Sequence, residues 1–305
     1  MPRGFGYRLP GLLPAVLVLA LAAPPAFADV TVVDAGGRSV AVKDDKHIAS
    51  LGGDVTEILY ALGLKDRIVA IDTTSLYPPE ALKEKKNVGY MRALSTEGVL
   101  STGASLIVAS VRCGPPEVVK ALKAASVPYV EIADTFDAKG IGEKIRLIAR
   151  TTGVEAAGER LAAKVEQDFA DLAKARTAVT RPARMLFVIS NLNGRVVVGG
   201  KGTAADAIIR LVGGENAAGD VNGFKPLVDE AVLELAPDAI LVMQQNASDP
   251  VAPLAALPGV KMTPAAKTNR IFAVDGAATL NFGPRAPREA KALMARVYPA
   301  AAGGK

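Results

Sequence analysis

The 305-residue chain has one histidine (His47), one cysteine (Cys113) and no tryptophan, and aromatic residues make up only 5% of it. Each scarcity removes a class of chemistry. A Ser-His-Asp relay needs a histidine to pass its proton, and His47 lies in the charged run Asp44-Asp45-Lys46-His47, where it reads as a solvated residue. Metal centres built from several His and Cys ligands have nothing to draw on. A single cysteine forms no intramolecular disulfide, so the apolar core alone must hold the fold. No G-x-S-x-G, P-loop or H-E-x-x-H run occurs. Gly199-Gly200-Lys201-Gly202-Thr203 lacks the phosphate-loop spacing and reads as a glycine-rich turn into a helix capped by Thr203. An enzyme such as an exported hydrolase therefore finds little support. Cys113, beside Arg112, is either a thiolate ligand or a bystander thiol, and its surroundings favour the bystander.

Charge is also in short supply. Removing Arg3 and Arg8 with a leader takes the 36 basic residues to 34 against 31 acidic, a formal charge of +3. Nucleic-acid binders show a concentrated basic stripe instead. That leader is expected at residues 1–28: a basic start, an apolar stretch from Leu12 to Ala23 too short to span a bilayer, and Ala26-Phe27-Ala28 as a small-x-small cleavage site. No cysteine stands near the cleavage point to carry a lipid. Export without disulfides suits a bacterial periplasm.

What is present is α/β alternation. Ile68-Val69-Ala70-Ile71, Leu106-Ile107-Val108-Ala109, Tyr129-Val130-Glu131-Ile132, Met185-Leu186-Phe187-Val188-Ile189, Ala239-Ile240-Leu241-Val242 and Ile271-Phe272-Ala273-Val274 are continuous apolar runs, as buried parallel strands require. Helices are expected at residues 56–62, 116–125, 203–212 and 287–297. One stretch interrupts the pattern. From Glu155 to Ala178 there is no proline and one glycine, with Leu161, Val165, Phe169 and Leu172 at helical spacing. The expected architecture is two similar α/β lobes with parallel-type central sheets, residues 29–153 and 181–305, joined by one helix at 154–180. A ligand cleft should lie between them. The phrases Leu94-Ser95-Thr96-Glu97-Gly98-Val99-Leu100 and Leu227-Val228-Asp229-Glu230-Ala231-Val232-Leu233 each read as a short helix entering a buried strand, once per lobe.

With histidine and cysteine so scarce, Tyr90 becomes conspicuous. It sits in Val88-Gly89-Tyr90-Met91-Arg92-Ala93-Leu94-Ser95, with an arginine two residues on that favours the ionised phenol. A phenolate is a hard anionic ligand, and tyrosine is a known axial ligand of haem iron. Asn222-Gly223-Phe224-Lys225-Pro226 and Asn281-Phe282-Gly283-Pro284-Arg285 add an aromatic and a cation each in the second lobe. Such loops on both sides of a cleft suit a flat, apolar, anionic ligand.

These phrases, with Gly52-Gly53-Asp54-Val55-Thr56-Glu57-Ile58-Leu59 and Gly199-Gly200-Lys201-Gly202-Thr203, resemble the haemin-binding periplasmic proteins of bacterial haem ABC importers. That group belongs to a class that also serves siderophores and cobalamin. The resemblance covers nearly all of the chain beyond the leader and implies a non-enzymatic, monomeric carrier of ferric haem. It implies that Tyr90 ligates the iron and that Arg92 pairs beside it. Asn222, Phe224 and Lys225 would form cleft wall, and Arg285 would meet a haem propionate. Glu97 and Glu230 would dock on an inner-membrane permease and its ATPase. Some members carry a histidine just after the first strand of the second lobe. Here that region reads Val188-Ile189-Ser190-Asn191-Leu192-Asn193-Gly194, so one five-coordinate haem on Tyr90 alone is expected. A siderophore or corrinoid on the same scaffold is the alternative.

Overall fold

Two sheets flanked by helices are joined by one long helix in the computed structural model, which describes residues 1, 4, 30–192, 195–244 and 248–299. The apolar stretch and cleavage site expected of a leader lie outside these residues, as do Asn193 and Gly194.

In the first lobe the strands run Lys86–Asn87, Ile68–Ile71, Ile48–Leu51, Leu106–Ser110, Tyr129–Ile132 across the sheet, every neighbouring pair parallel. Ile48–Leu51 and Leu106–Ser110 are buried at every position, because helices cover both faces of a central parallel strand. An antiparallel hairpin, Val30–Val33 with Ser39–Val42, precedes this sheet and was not anticipated. In the second lobe the order is Phe224–Leu227, Arg195–Gly199, Arg184–Leu192, Ala239–Gln244, Ile271–Asp275, with Glu215–Asn216 also paired to Arg184–Leu192. The last three of the main order are mutually parallel. Arg195–Gly199 and Phe224–Leu227 are antiparallel to their neighbours, so this sheet is mixed.

The four expected helices form at Gly53–Ala61, Pro116–Ala124, Ala204–Val212 and Ala286–Val297. Ala204–Val212 shows why. The Thr203 hydroxyl accepts from Asp206 N at 3.2 Å, and Gly213 leaves the helix at φ 89, a left-handed position that suits glycine.

The connecting helix spans Glu155–Arg176, about 33 Å at the usual rise. It buries Val165, Phe169 and Leu172 and lies against the helix Ala138–Thr151. Contact there is close: a Cβ on Gly158 would strike that of Ala149. Arg146 reaches Glu159 and Glu166, each at 2.9 Å, while Asp168 takes Arg288 of the second lobe at 3.3 Å.

A second seam ties the lobes independently of this helix. Glu57 accepts from the Arg285 backbone N at 2.9 Å and from its Nη2 at 3.2 Å. Asn281 Nδ2 donates to Thr74 O, and Lys144 Nζ to Phe282 O. Phe282 is fully buried, edge-on to Phe136 with ring centres 5.0 Å apart.

Candidate binding cleft

Tyr90 is placed by its neighbours on both sides. Gly89 adopts φ 93, a left-handed conformation that costs glycine little. Its N–H donates to Asn87 Oδ1 at 2.8 Å, and its carbonyl accepts from Thr73 N at 2.9 Å. Met91 is then buried at 3% exposure, with its sulfur 3.5 Å from Thr74 Oγ1. The residues flanking this anchor, Tyr90 and Arg92, are left outside, and Tyr90 is 46% exposed. Both line a cleft of ≈ 460 Å³ between the lobes.

That cleft lies at the carboxyl ends of parallel strands, where open α/β sheets bind ligands. Arg112 follows Leu106–Ser110 and Asp134 follows Tyr129–Ile132, and both reach it. Phe136, Ile189, Phe224, Met243 and Leu280 supply apolar wall. A smaller hollow of ≈ 320 Å³, lined in part by Arg181, Asp238 and Arg270, lies at the opposite, amino-terminal ends of the second lobe's strands and is not an interlobe site.

An ion cluster adjoins the cleft. Lys144 Nζ lies 2.7 Å from Asp54 Oδ2, with both side chains fully buried. Arg112 Nη2 lies 3.5 Å from Asp54 Oδ1, and its Nε 3.3 Å from Asp134 Oδ1. Burial alone would raise the Asp54 carboxyl, but Lys144 and Arg112 outweigh it and hold it below the ordinary range. Asp134 goes the other way: burial dominates the pull of Arg112 and its carboxyl is raised. Burial also pushes the Cys113 thiol upward, with Asp72 and Asp54 adding to the effect. Its sulfur sits 3.6 Å from Leu51 O, so it is a neutral thiol packed against the sheet rather than a thiolate ligand.

The structure gathers Tyr90, Arg92 and Phe224 at the cleft and leaves the other expected wall residues elsewhere. Lys225 follows Phe224 along an edge strand, so its side chain falls on the opposite face. Asn222 is exposed and bridges to Lys201. Arg285 does not line the cleft. Glu57 holds it, and its guanidinium lies 3.4 Å from the centre of the Tyr77 ring. Its position in sequence beside an aromatic resembled that of the Phe224 loop, but Phe282 and Arg285 turn into the seam. Sequence reasoning assigned neither Arg112 nor Asp134 a role in the cleft. The signal was available, since each stands just beyond a buried parallel strand. Glu97 and Glu230 are exposed in the first turns of Thr96–Leu100 and Asp229–Leu235, which precede equivalent strands of the two sheets. Neither forms an ion pair among the described residues.

Two α/β lobes bridged by a helix, with a ligand cleft at their seam, define a bilobal substrate-binding protein. Residues 48–278 match the periplasmic binding protein family, and the chain belongs to it. Among solved structures it is similar to the periplasmic haem-binding protein RhuT from Roseiflexus sp. RS-1 in apo form. The two are 37% identical with a TM-score of 0.79, over 85% of this chain and 100% of that one. The periplasmic haem-binding protein BhuT in complex with two haems is 34% identical, with a TM-score of 0.78 over 84% of this chain and 99% of its own. An uncharacterized ABC transporter substrate-binding lipoprotein, YvrC of Bacillus subtilis (strain 168), is 29% identical over 88% of this chain and 86% of its own. The vitamin B12-binding protein of Pectobacterium atrosepticum is 29% identical over 68% of this chain and 74% of its own.

Proposed function

We propose that this protein carries ferric haem through the periplasm to an ABC permease and its ATPase in the inner membrane, binding one haem with its iron on the Tyr90 phenolate. The observation that supports this best is Tyr90 itself: a half-exposed phenol at an interlobe cleft, with Arg92 and Arg112 beside it and Phe224 and Met243 among the apolar wall. No histidine or cysteine lines that cleft among the described residues, and the Tyr90 phenolate is a harder anionic ligand for ferric iron than the Met243 thioether beside it. The similarity to haem-binding proteins of known structure adds weight. Glu97 and Glu230, one per lobe, would meet cationic side chains of the permease.

Ferric haem added to the purified protein should produce a phenolate-to-iron charge-transfer band. Tyr90→Ala should abolish that band and weaken binding at least tenfold; an unchanged spectrum and affinity would remove the ligand assignment. A corrinoid cargo is the second reading, favoured by the vitamin B12-binding relatives. Competition of haem against cyanocobalamin and a ferric siderophore separates the two, since only the true cargo displaces the others at stoichiometric concentration.

A further inference from the structure

Three buried side-chain atoms without a hydrogen-bond partner belong to one cluster: Asp54 Oδ1, Arg112 Nη2 and Asp134 Oδ1. They meet one another only in long ion pairs, Arg112 Nη2 to Asp54 Oδ1 at 3.5 Å and Arg112 Nε to Asp134 Oδ1 at 3.3 Å, so the guanidinium is engaged by charge without a short hydrogen bond. The cluster divides into two parts. Asp54 is matched by Lys144 at 2.7 Å in the protein interior, and neither residue lines the cleft. Arg112 and Asp134 do line it, and their contact is long, 3.3 Å from Nε to Oδ1. Ser110 Oγ is the other neighbour of Arg112 Nε, at 3.4 Å. Arg112 is therefore a guanidinium at a cleft wall, held at long range by two carboxylates, Asp54 on Nη2 and Asp134 on Nε. A guanidinium forms its strongest contact when a planar carboxylate accepts two parallel N–H groups.

We propose that Arg112 receives a carboxylate of the cargo, and that Asp134 is the counter-ion it gives up on binding. This rests on the haem reading, since haem carries two propionate side chains. Burial raises the Asp134 carboxyl; Arg112 opposes this, Asp54 reinforces it, and Lys144 and Arg92 oppose it more weakly. The contact of Asp134 with Arg112 is a single long one, so a ligand carboxylate that accepts two parallel N–H groups can displace it. Arg285 is unsuited to the same role because Glu57 engages both its backbone and its guanidinium.

The test compares ferric haem with ferric haem dimethyl ester, which keeps the iron and ring but lacks both carboxylates. Both are titrated into the full protein, wild type, Arg112→Gln and Asp134→Asn, with circular dichroism and melting to verify folding. Wild type should bind the diacid about tenfold more tightly than the diester, as losing one charge-assisted contact implies. Arg112→Gln should bring the two affinities within about twofold of each other, through weaker diacid binding and unchanged diester binding. Asp134→Asn, which removes the competing anion in an isosteric side chain, should widen the diacid preference. Equal affinities in wild type, a preference that survives Arg112→Gln, or a preference that Asp134→Asn narrows or leaves unchanged would each overturn the assignment while leaving Tyr90 ligation standing. If neither porphyrin binds wild type, the haem reading falls and this inference falls with it. Should Arg112→Gln not fold, the Asp134→Asn ratio decides alone.

Discussion

At the scale of single residues, the most consequential side chain outside the cleft wall is Asp54, which neutralises one fully buried lysine and shares a second cation with the cleft wall. Its carboxyl is lowered in the folded state because Lys144 and Arg112 outweigh burial. Between the unfolded value near pH 4 and that lower folded value, the unfolded chain holds the extra proton. The stability Asp54 contributes is therefore present above about pH 4 and is lost as the pH falls through its folded value. Glu57 and Asp134 have raised folded values, so their contributions have the opposite sign and decline as the pH rises through those values. Melting followed from pH 2 to 7 should show an acid limb that flattens in Asp54→Asn. At neutral pH that variant leaves Lys144 uncompensated and should lose about 3–5 kcal/mol, whereas Asp54→Leu with Lys144→Met should recover much of the loss. Equal stability of Asp54→Asn and wild type would show that Lys144 has another partner.

At the scale of elements, helix and strand positions were legible because each leaves a period in the sequence. Leu161, Val165, Phe169 and Leu172 mark the inner face of Glu155–Arg176, and apolar runs mark the buried strands. Strand direction left no such mark. Arg195–Gly199 is as apolar as a parallel strand and yet returns antiparallel. The hairpin Val30–Val33 with Ser39–Val42 was missed because its strands are four residues long and half exposed. Gly158 illustrates a constraint that no period reveals. It reads as a flaw in a helix and is a point where the facing helix comes too near to admit a Cβ. Gly158→Leu should therefore lower stability by about 1–3 kcal/mol through overpacking despite its better helix propensity, measurable by urea unfolding. A stabilised variant would mean the helices separate at no cost.

At the scale of the whole molecule, two ties hold the lobes: the connecting helix and the seam at Asn281–Arg285. Closure should accordingly be small, and the seam should limit it. Arg285→Ala leaves the nearly buried Glu57 without its cation, and about 3 kcal/mol of stability should go with it. Hydrogen exchange should rise on both sides of the seam; protection unchanged there would assign the rigidity to the helix alone. Docking belongs to this scale as well. Glu97→Ala with Glu230→Ala should leave haem titration unchanged and abolish transfer to the reconstituted permease, whereas transfer at the wild-type rate would free both glutamates of that role. The sequence by itself determined the α/β lobes, the helix between them and the prominence of Tyr90, because burial periodicity and the scarcity of histidine and cysteine are local or compositional properties. Only the tertiary structure decided that Arg285 belongs to the seam, that Lys225 faces away, and that Arg112 and Asp134, each legible as a strand-end residue, meet in one ion cluster with Asp54. Those outcomes depend on which face of a strand meets which neighbour across long sequence separations, and a linear pattern carries no distance between residues so far apart.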